Sequence, residues 1–186
     1  MRVNGDLTAL PFPALDPQIL EAMLFEILPE PLQEDFKHTL DCDFAINFPD
    51  SGRFRVNLFY QHRGIAAVFR AIPEQIPDLN ALQAPEIITR LCHKPHGLIL
   101  VTGATGCGKS TTLAAMVDYL NQHSQRHIIT IEDPIEFIHH SHNCLIHQRQ
   151  LHQHTASFSQ ALKAALREDP DIILLGEMRD LETIRL

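Results

Sequence analysis

The chain has 186 residues, of which 45% are hydrophobic and 20% are charged. This composition predicts one ordinary folded domain, or a small domain and part of another, and excludes a disordered chain. The net charge of −8 argues against a protein that binds nucleic acid mainly through its phosphates. No apolar run approaches the roughly 20 residues of a membrane-spanning helix. The first six residues, MRVNGD, lack the apolar core of a signal peptide.

Cysteine and histidine residues are the usual sources of disulfides and metal ligands. The four cysteines are widely separated and form no CxxC pair, so we expect free thiols in a reducing cytoplasm. They are Cys42, Cys92, Cys107 and Cys144. Six of the twelve histidines lie in residues 139–154. Histidine is a common zinc ligand, but no ligand spacing organises these six. We therefore interpret the segment as a polar, exposed connection.

Residues 1–72 have the pattern of a small α+β domain. Asp16 and Pro17 precede apolar residues at helical spacing, which predicts a capped amphipathic helix. A second short helix is expected over residues 31–38. Three β segments follow, over residues 42–48, 53–61 and 64–72. Turn sequences separate them, so they predict an antiparallel meander. The middle strand should direct one set of apolar residues to a single face: Phe54, Val56, Leu58 and Tyr60.

Residues 73–96 contain four prolines and are interpreted as a linker with one short helix, over 85–93. From Gly97 onward, strands and helices alternate. We expect strands over 98–101, 127–131 and 172–175, and helices over 110–122 and 157–167. This order predicts a parallel α/β sheet with right-handed crossovers. Three strands make a small sheet, so we expect a fragment of a longer protein that lacks a piece at each end.

A phosphate-binding P-loop follows the first of these strands. Residues 103–110, GATGCGKS, match GxxxxGK[ST] in full, between an expected strand and an expected helix. The glycines let backbone N–H groups turn towards phosphate oxygens. Lys109 is expected to face the β- and γ-phosphates, and the Ser110 hydroxyl to ligate Mg²⁺, with Thr111 as its neighbour. The sequence therefore predicts a Mg·ATP site.

Two acidic segments follow later strands. Residues 130–136, TIEDPIE, place three carboxylates at a strand end, where ligands bind in parallel sheets. Such a carboxylate could activate water, although an acidic loop that caps a helix has the same appearance. Residues 171–180, DIILLGEMRD, have the form of a Walker B strand. Glu177, at its end, is expected to meet Mg²⁺ directly or through water.

Four arginines are the last candidate site residues that the sequence itself suggests. Arg53, Arg55, Arg63 and Arg70 lie on the predicted meander. An arginine supplied across a subunit interface could neutralise phosphate charge. On the residues alone, the preferred explanation is that these arginines lie on a solvated face of the sheet.

Four segments resemble the ATPases of type II secretion and type IV pilus systems, and most closely the pilus-retraction, twitching-motility branch of that family. They are FRVNLFYQHRGIAAVFRAIP, GLILVTGATGCGKSTTLAAM, HIITIEDPIEF and ALREDPDIILLGEMRDLETIRL. The resemblance covers nearly the whole chain. It implies a partial PAS-like N-terminal domain over 1–72, the linker over 73–96, and the N-terminal part of a RecA-like P-loop ATPase domain over 97–186.

The resemblance also implies roles for individual residues. The family's Asp box matches residues 131–136, and its last glutamate, Glu136, corresponds to the catalytic base. Glu177 corresponds to the Walker B glutamate that holds Mg²⁺ with Ser110. Arg55 and Arg70 correspond to arginines that reach the nucleotide of a neighbouring subunit. The residues that would contact ATP are Gly103, Ala104, Thr105, Gly106, Cys107, Gly108, Lys109, Ser110 and Thr111.

Members of the family work as homohexamers at the cytoplasmic base of the pilus machine. The resemblance thus implies a cytoplasmic protein, peripheral to the inner membrane, whose partner is a platform protein of that membrane. No nucleic-acid partner and no direct membrane insertion are expected. The family continues past Leu186, and Ala104 and Cys107 replace its more usual proline and serine. The alternatives are a pilus-assembly or type II secretion ATPase, or a nucleotide-binding subunit with little turnover.

Overall fold

The computed structural model describes residues 1–3, 5–73, 75–178 and 180–186. The chain folds into two compact units. The first comprises Met1–Phe48 and Phe54–Arg70, and the second comprises Pro49–Arg53 and Ala71–Leu186.

Helices α1 and α2 and a three-stranded sheet form most of the first unit. A hairpin of β1 (Arg2–Val3) and β2 (Asp6–Leu7), not expected from the sequence, precedes them. The helices are α1 (Pro17–Ile27) and α2 (Glu30–Thr39), and the strands are β3 (Asp41–Phe48), β4 (Gly52–Gln61) and β5 (Gly64–Ile72). As predicted, Asp16 caps α1 by accepting the Gln18 N–H at 2.9 Å. The sheet order is β3-β4-β5, and turns this short join only antiparallel strands.

Apolar residues of the helices pack against one face of this meander. Val56 and Leu58 of β4 are fully buried together with Phe36 of α2. Phe36 also stacks on Tyr60 with 5.5 Å between ring centroids. The predicted apolar face of the middle strand is confirmed.

The second unit is a parallel α/β sheet. Its elements are α3 (Glu86–Cys92), α4 (Lys109–His123), β6 (His127–Glu132), β7 (Leu145–Gln150), α5 (Phe158–Ala165), β8 (Ile172–Leu175) and α6 (Leu181–Arg185). The strand order is β7-β6-β8, and β6 pairs in parallel with both neighbours. The predicted mixed α/β fold with a parallel sheet is confirmed.

Helices cover both faces of this sheet. Ala115, Met116 and Leu120 of α4 pack with Ile128 of β6 on one face. On the other face, a second cluster joins β6 to α5: Ile129, Ile131, Phe158, Ala161, Leu162 and Ala165. Because β6 is buried on both sides, its sequence HIITIE is almost continuously apolar, as in other doubly covered parallel strands.

The predicted strand over 98–101 is wrong. These residues form no strand, and Leu98 and Leu100 are 79% and 59% exposed. An apolar segment becomes a strand only where a neighbouring strand accepts its backbone hydrogen bonds. The central strand β6 already has a partner on each side.

The polar connection predicted over 139–154 is also wrong in part. Its residues 145–150 form β7, which pairs with β6 from His127↔Leu145 to Glu132↔Gln150. This edge strand carries polar side chains on its exposed surface, so its sequence lacks the apolar run of a buried strand.

Candidate functional site

The P-loop is a tight turn that depends on its glycines. Gly106 and Gly108 have φ angles of 82° and 93°, in the left-handed region that favours glycine. A Cβ at Gly103 would lie 2.5 Å from the Cys107 Sγ, so any other residue here would displace the Cys107 side chain. The Cys107 N–H closes the turn by donating to the Ala104 carbonyl at 3.3 Å. These positions require the glycine spacing of the motif.

Lys109 lies over this loop at the first residue of α4. Its ammonium group donates to the carbonyl oxygens of Gly103 and Ala104, each at 2.9 Å. Thr105 and Cys107 are exposed beside it, as is Ser110 in the first turn of the helix. The helix N-terminus adds a favourable field for an anion at this loop.

The direction of α4 places the P-loop at the carboxyl edge of the sheet. Near the C-terminal end of α4, Asn121 holds the chain leading into β7: its amide donates to the His140 carbonyl at 2.7 Å and accepts the His142 N–H at 3.0 Å. The C-terminal end of α4 therefore lies at the amino edge of the strands. The 15 residues of α4 span about 22 Å, close to the ~20 Å of a six-residue strand. The helix N-terminus accordingly reaches the opposite, carboxyl edge.

Glu132, the last residue of β6, is the centre of a hydrogen-bonded network at that edge. Its Oε1 accepts from the Thr130 hydroxyl at 2.6 Å and from the Gln148 amide at 3.1 Å. The nearby backbone N–H of Glu136 also favours the charged form of this carboxylate. Burial raises the pKa of Glu132 and the Glu136 charge adds to the increase, whereas the hydrogen bonds from Thr130 and Gln148 and the nearby Glu136 N–H oppose it.

Glu136 itself is half-buried, between the buried side chains of Ile135 and Phe137. The segment reaches it through a cis peptide bond between Asp133 and Pro134, and Asp133 is exposed. The two glutamates thus have different environments: Glu132 Oε1 accepts two side-chain hydrogen bonds, whereas Glu136 is half-buried in the segment that follows β6.

The Walker B strand ends beside the Asp box. The Gly176 N–H donates to the Ile131 carbonyl at 2.8 Å. A Cβ at Gly176 would come within 3.3 Å of the Glu132 Cα, so glycine permits this close approach. Glu177 follows and is half-buried. Of the remaining motif, residue 179 lies outside the described residues, and Asp180 caps α6 by accepting the Thr183 N–H at 2.7 Å.

The candidate arginines have separate placements. Arg55, in the first unit, makes a forked ion pair with Asp43, with Nε–O distances of 3.1 and 3.0 Å. Arg70 is exposed near the end of β5. Their proposed action on the nucleotide of a neighbouring subunit therefore remains a prediction.

Two glutamines have roles in the site that the sequence patterns do not reveal, and one of the candidate arginines has a partner there. Gln148 and Gln150 of β7 bind the Asp-box segment, and no motif marks them beyond their alternation in a polar strand. Arg53, which belongs to the second unit, interacts electrostatically with Glu132. Burial lowers the pKa of Arg53, and attraction to Glu132 opposes that effect.

The histidine-rich segment shows no metal centre. In the part of the chain that the structure describes, no group of three or more His, Cys, Asp or Glu side chains could hold a metal ion. The four cysteines are free, as expected. Among the described residues, no helix is both long and apolar enough to cross a bilayer.

Comparisons with known proteins agree with this geometry. The family model "Type II/IV secretion system protein" matches residues 41–186. The chain is 52% identical over its whole length to the type IV pilus retraction ATPase PilT of Pseudomonas aeruginosa, of which it covers 54%. It is 50% identical, again over its whole length, to a twitching motility protein of Neisseria gonorrhoeae, of which it covers 50%.

Among solved structures, the pilus retraction motor PilT with bound ADP superposes with a TM-score of 0.94 at 45% identity. That match covers 99% of this chain and 54% of the motor. The chain thus spans about half the length of these relatives. With the family model matched over most of its residues, the chain belongs to the type II/IV secretion system ATPase family.

Proposed function

We propose that the full-length protein hydrolyses Mg·ATP and uses the energy to retract type IV pili in twitching motility. The observation that carries this proposal is the convergence at one sheet edge of a P-loop, the Asp-box glutamates and the Walker B glutamate. The relatives that match the whole chain, a pilus retraction ATPase and a twitching motility protein, favour retraction.

The residues at this edge suit the binding of a nucleotide and a magnesium ion. Lys109 and the loop amides would hold the triphosphate through charge and backbone hydrogen bonds. Ser110 and Glu177 would hold Mg²⁺, because hydroxyl and carboxylate oxygens are the hard ligands it prefers and water completes its shell. The ion would neutralise charge on the β- and γ-phosphates.

Glu136 is the proposed general base. Glu132 Oε1 is engaged by Thr130 and Gln148, and we assign to Glu136 the role of taking the proton of the attacking water. Arg55 and Arg70 would complete the site of a neighbouring subunit in a homohexamer. We place this assembly in the cytoplasm, at the inner-membrane platform protein of the pilus machine.

The family description covers type II secretion as well as type IV pili, so a pilus-assembly or secretion ATPase is the second candidate. A chromosomal Lys109→Ala variant separates the two. A retraction motor would leave cells with surface pili but without twitching, whereas an assembly motor would leave them without pili. Normal twitching in cells that express the variant as their only copy would contradict both pilus roles, and a loss of protein secretion in those cells would favour the secretion ATPase.

A further inference from the structure

The backbone around Glu136 depends on side chains for its hydrogen bonds. Residues 133–139 lie between β6 and β7 and form neither helix nor strand. Buried peptide groups outside regular structure require other partners. Ile135 and Phe137, on either side of Glu136, are only 8% and 5% exposed, so water cannot readily form hydrogen bonds with their peptide groups.

Gln150 provides the first of these partners. It is the last residue of β7 and only 5% exposed. Its Oε1 accepts the Ile135 N–H at 3.1 Å. The Gln150 backbone is itself held, because its N–H donates to the His154 Nδ1 at 2.9 Å.

Gln148 provides the remaining partners and uses both the oxygen and the nitrogen of its side-chain amide. Its Oε1 accepts the His139 N–H at 2.7 Å. Its Nε2 donates to the Phe137 carbonyl at 2.8 Å and to Glu132 Oε1 at 3.1 Å. Both amide hydrogens are thus in use, which only glutamine or asparagine could provide in this geometry.

Together these contacts fix the peptide units on both sides of Glu136. Ile135 is held through its N–H and Phe137 through its carbonyl. The Glu136 N–H lies near the Glu132 carboxylate, and Gln148 holds that carboxylate through Oε1. Gln148 and Gln150 are two residues apart on one strand, so their side chains share a face.

We propose that Gln148 and Gln150, the glutamine clamp, are positioning residues that set the place of the Glu136 carboxylate for attack on ATP. This inference rests on the proposed function, because it assumes that Glu136 is the base. Neither glutamine needs to touch the nucleotide. Their effect is on orientation, and a displacement near 1 Å at a reacting group can cost about 100-fold in rate.

Gln148→Glu in the full-length protein tests the clamp with a minimal change of shape. The new side chain can still accept the His139 N–H, but it loses both donors and places a second carboxylate beside Glu132. We expect kcat to fall about 10- to 100-fold, with the affinity for a non-hydrolysable ATP analogue unchanged within about twofold. Gln160→Glu, the same change at an exposed position of α5, should leave both unchanged.

The pH dependence separates positioning from a general loss of structure. The carboxyl group introduced by Gln148→Glu regains one donor when it is protonated, so the ratio of variant to wild-type kcat should rise as the pH is lowered from 8 to 6. The ratio cancels the titration of groups remote from residue 148, whereas Glu132 titrates together with the new carboxyl group because their charges repel. A ratio that stays constant with pH, or a loss of affinity equal to the loss of kcat, would overturn the proposal.

Amide hydrogen exchange tests whether the clamp exists, independently of turnover. In Gln148→Met, the amides of Glu136 and His139 should exchange at least tenfold faster than in wild type, while those of the β6 core stay protected. Unchanged exchange at these amides overturns the clamp even if activity is lost. If the wild-type protein exchanges as expected but shows no ATPase activity, the proposed function is overturned. The clamp would then exist but would have no catalytic role.

Discussion

Lys109 has the simplest chemical role of any residue in the site. Its ammonium group lies 2.9 Å from two P-loop carbonyls, at the N-terminus of α4. We expect Lys109→Ala to abolish Mg·ATP binding, because it removes the cation of the phosphate cradle. Isothermal titration calorimetry with an ATP analogue measures this directly. A dissociation constant equal to that of wild type would contradict the assignment of the loop.

Glu132 should make stability depend on pH. Its pKa is raised in the folded state, mainly by burial, so the folded protein holds this proton more tightly than the unfolded chain. Its favourable contribution is present below the unfolded pKa of about 4.3. It is lost as the pH rises through the higher, folded pKa, at about 1.4 kcal/mol for each unit of difference.

Glu132→Gln removes this titration while keeping an oxygen that accepts from Thr130 and Gln148. We therefore expect the melting temperature of the variant, relative to wild type, to increase between pH 4 and pH 7. Thermal unfolding across this range is the measurement. A relative melting temperature that stays flat or decreases would show that the pKa of Glu132 is not raised as described.

Among the secondary-structure elements, α4 depends on one buried side chain for its connection to β7. Asn121 is 1% exposed, and its amide bonds to the backbone of His140, His142 and Cys144. Asn121→Ala leaves these groups without their partner, and we expect a loss of about 2–4 kcal/mol in the free energy of unfolding. Urea denaturation measures this loss.

Gln122→Ala is the matched control for Asn121→Ala. The Gln122 side chain is exposed and donates to Asp118 at 2.7 Å within the same helix. Its removal should cost less than about 0.5 kcal/mol. Equal losses for the two variants would remove the special role of Asn121.

Local sequence patterns predicted the elements of this chain wherever the pattern also determined the packing. Asp16 before α1, the apolar face of β4 and the glycines of the P-loop each have a strong local signal, and all were confirmed. The LILV run at 98–101 had an equally strong strand signal, but strand formation depends on a partner strand. β7 was missed for the opposite reason, since an edge strand with His147, Gln148 and Gln150 has a polar sequence.

The residues of the site divide in the same way, into those that local motifs predict and those that only the folded sheet brings together. The P-loop, Asp box and Walker B segments are contiguous motifs that can be recognised from residue spacing. The Glu132 network cannot, because Gln148 lies 16 residues away on another strand and meets the carboxylate only after the sheet has formed. The sequence alone therefore indicated which acids are present but not which of the two glutamates the side chains of β7 would hold.

At the scale of the whole molecule, we expect active sites that are shared between subunits. Arg70 would act on a neighbour's nucleotide, so Arg70→Ala in the full-length protein should lower kcat by about 10³. Mixed with Lys109→Ala subunits, it should regain activity, because some interfaces would then combine an intact P-loop with an intact arginine. Arg63→Ala, at the exposed turn between β4 and β5, is the control and should be nearly neutral. Mixtures no more active than the separate variants would place Arg70 outside the neighbour's site.

The central claim is that ATP is hydrolysed at the carboxyl edge of the sheet with Glu136 as the base. Steady-state phosphate release by the full-length protein, measured for wild type and Glu136→Gln beside analogue binding, tests it most directly. We predict that the variant binds the analogue as wild type does but loses turnover by at least about 100-fold, because an amide cannot accept the proton of water. Turnover that persists in Glu136→Gln but disappears in Glu132→Gln would contradict this claim and assign catalysis to Glu132.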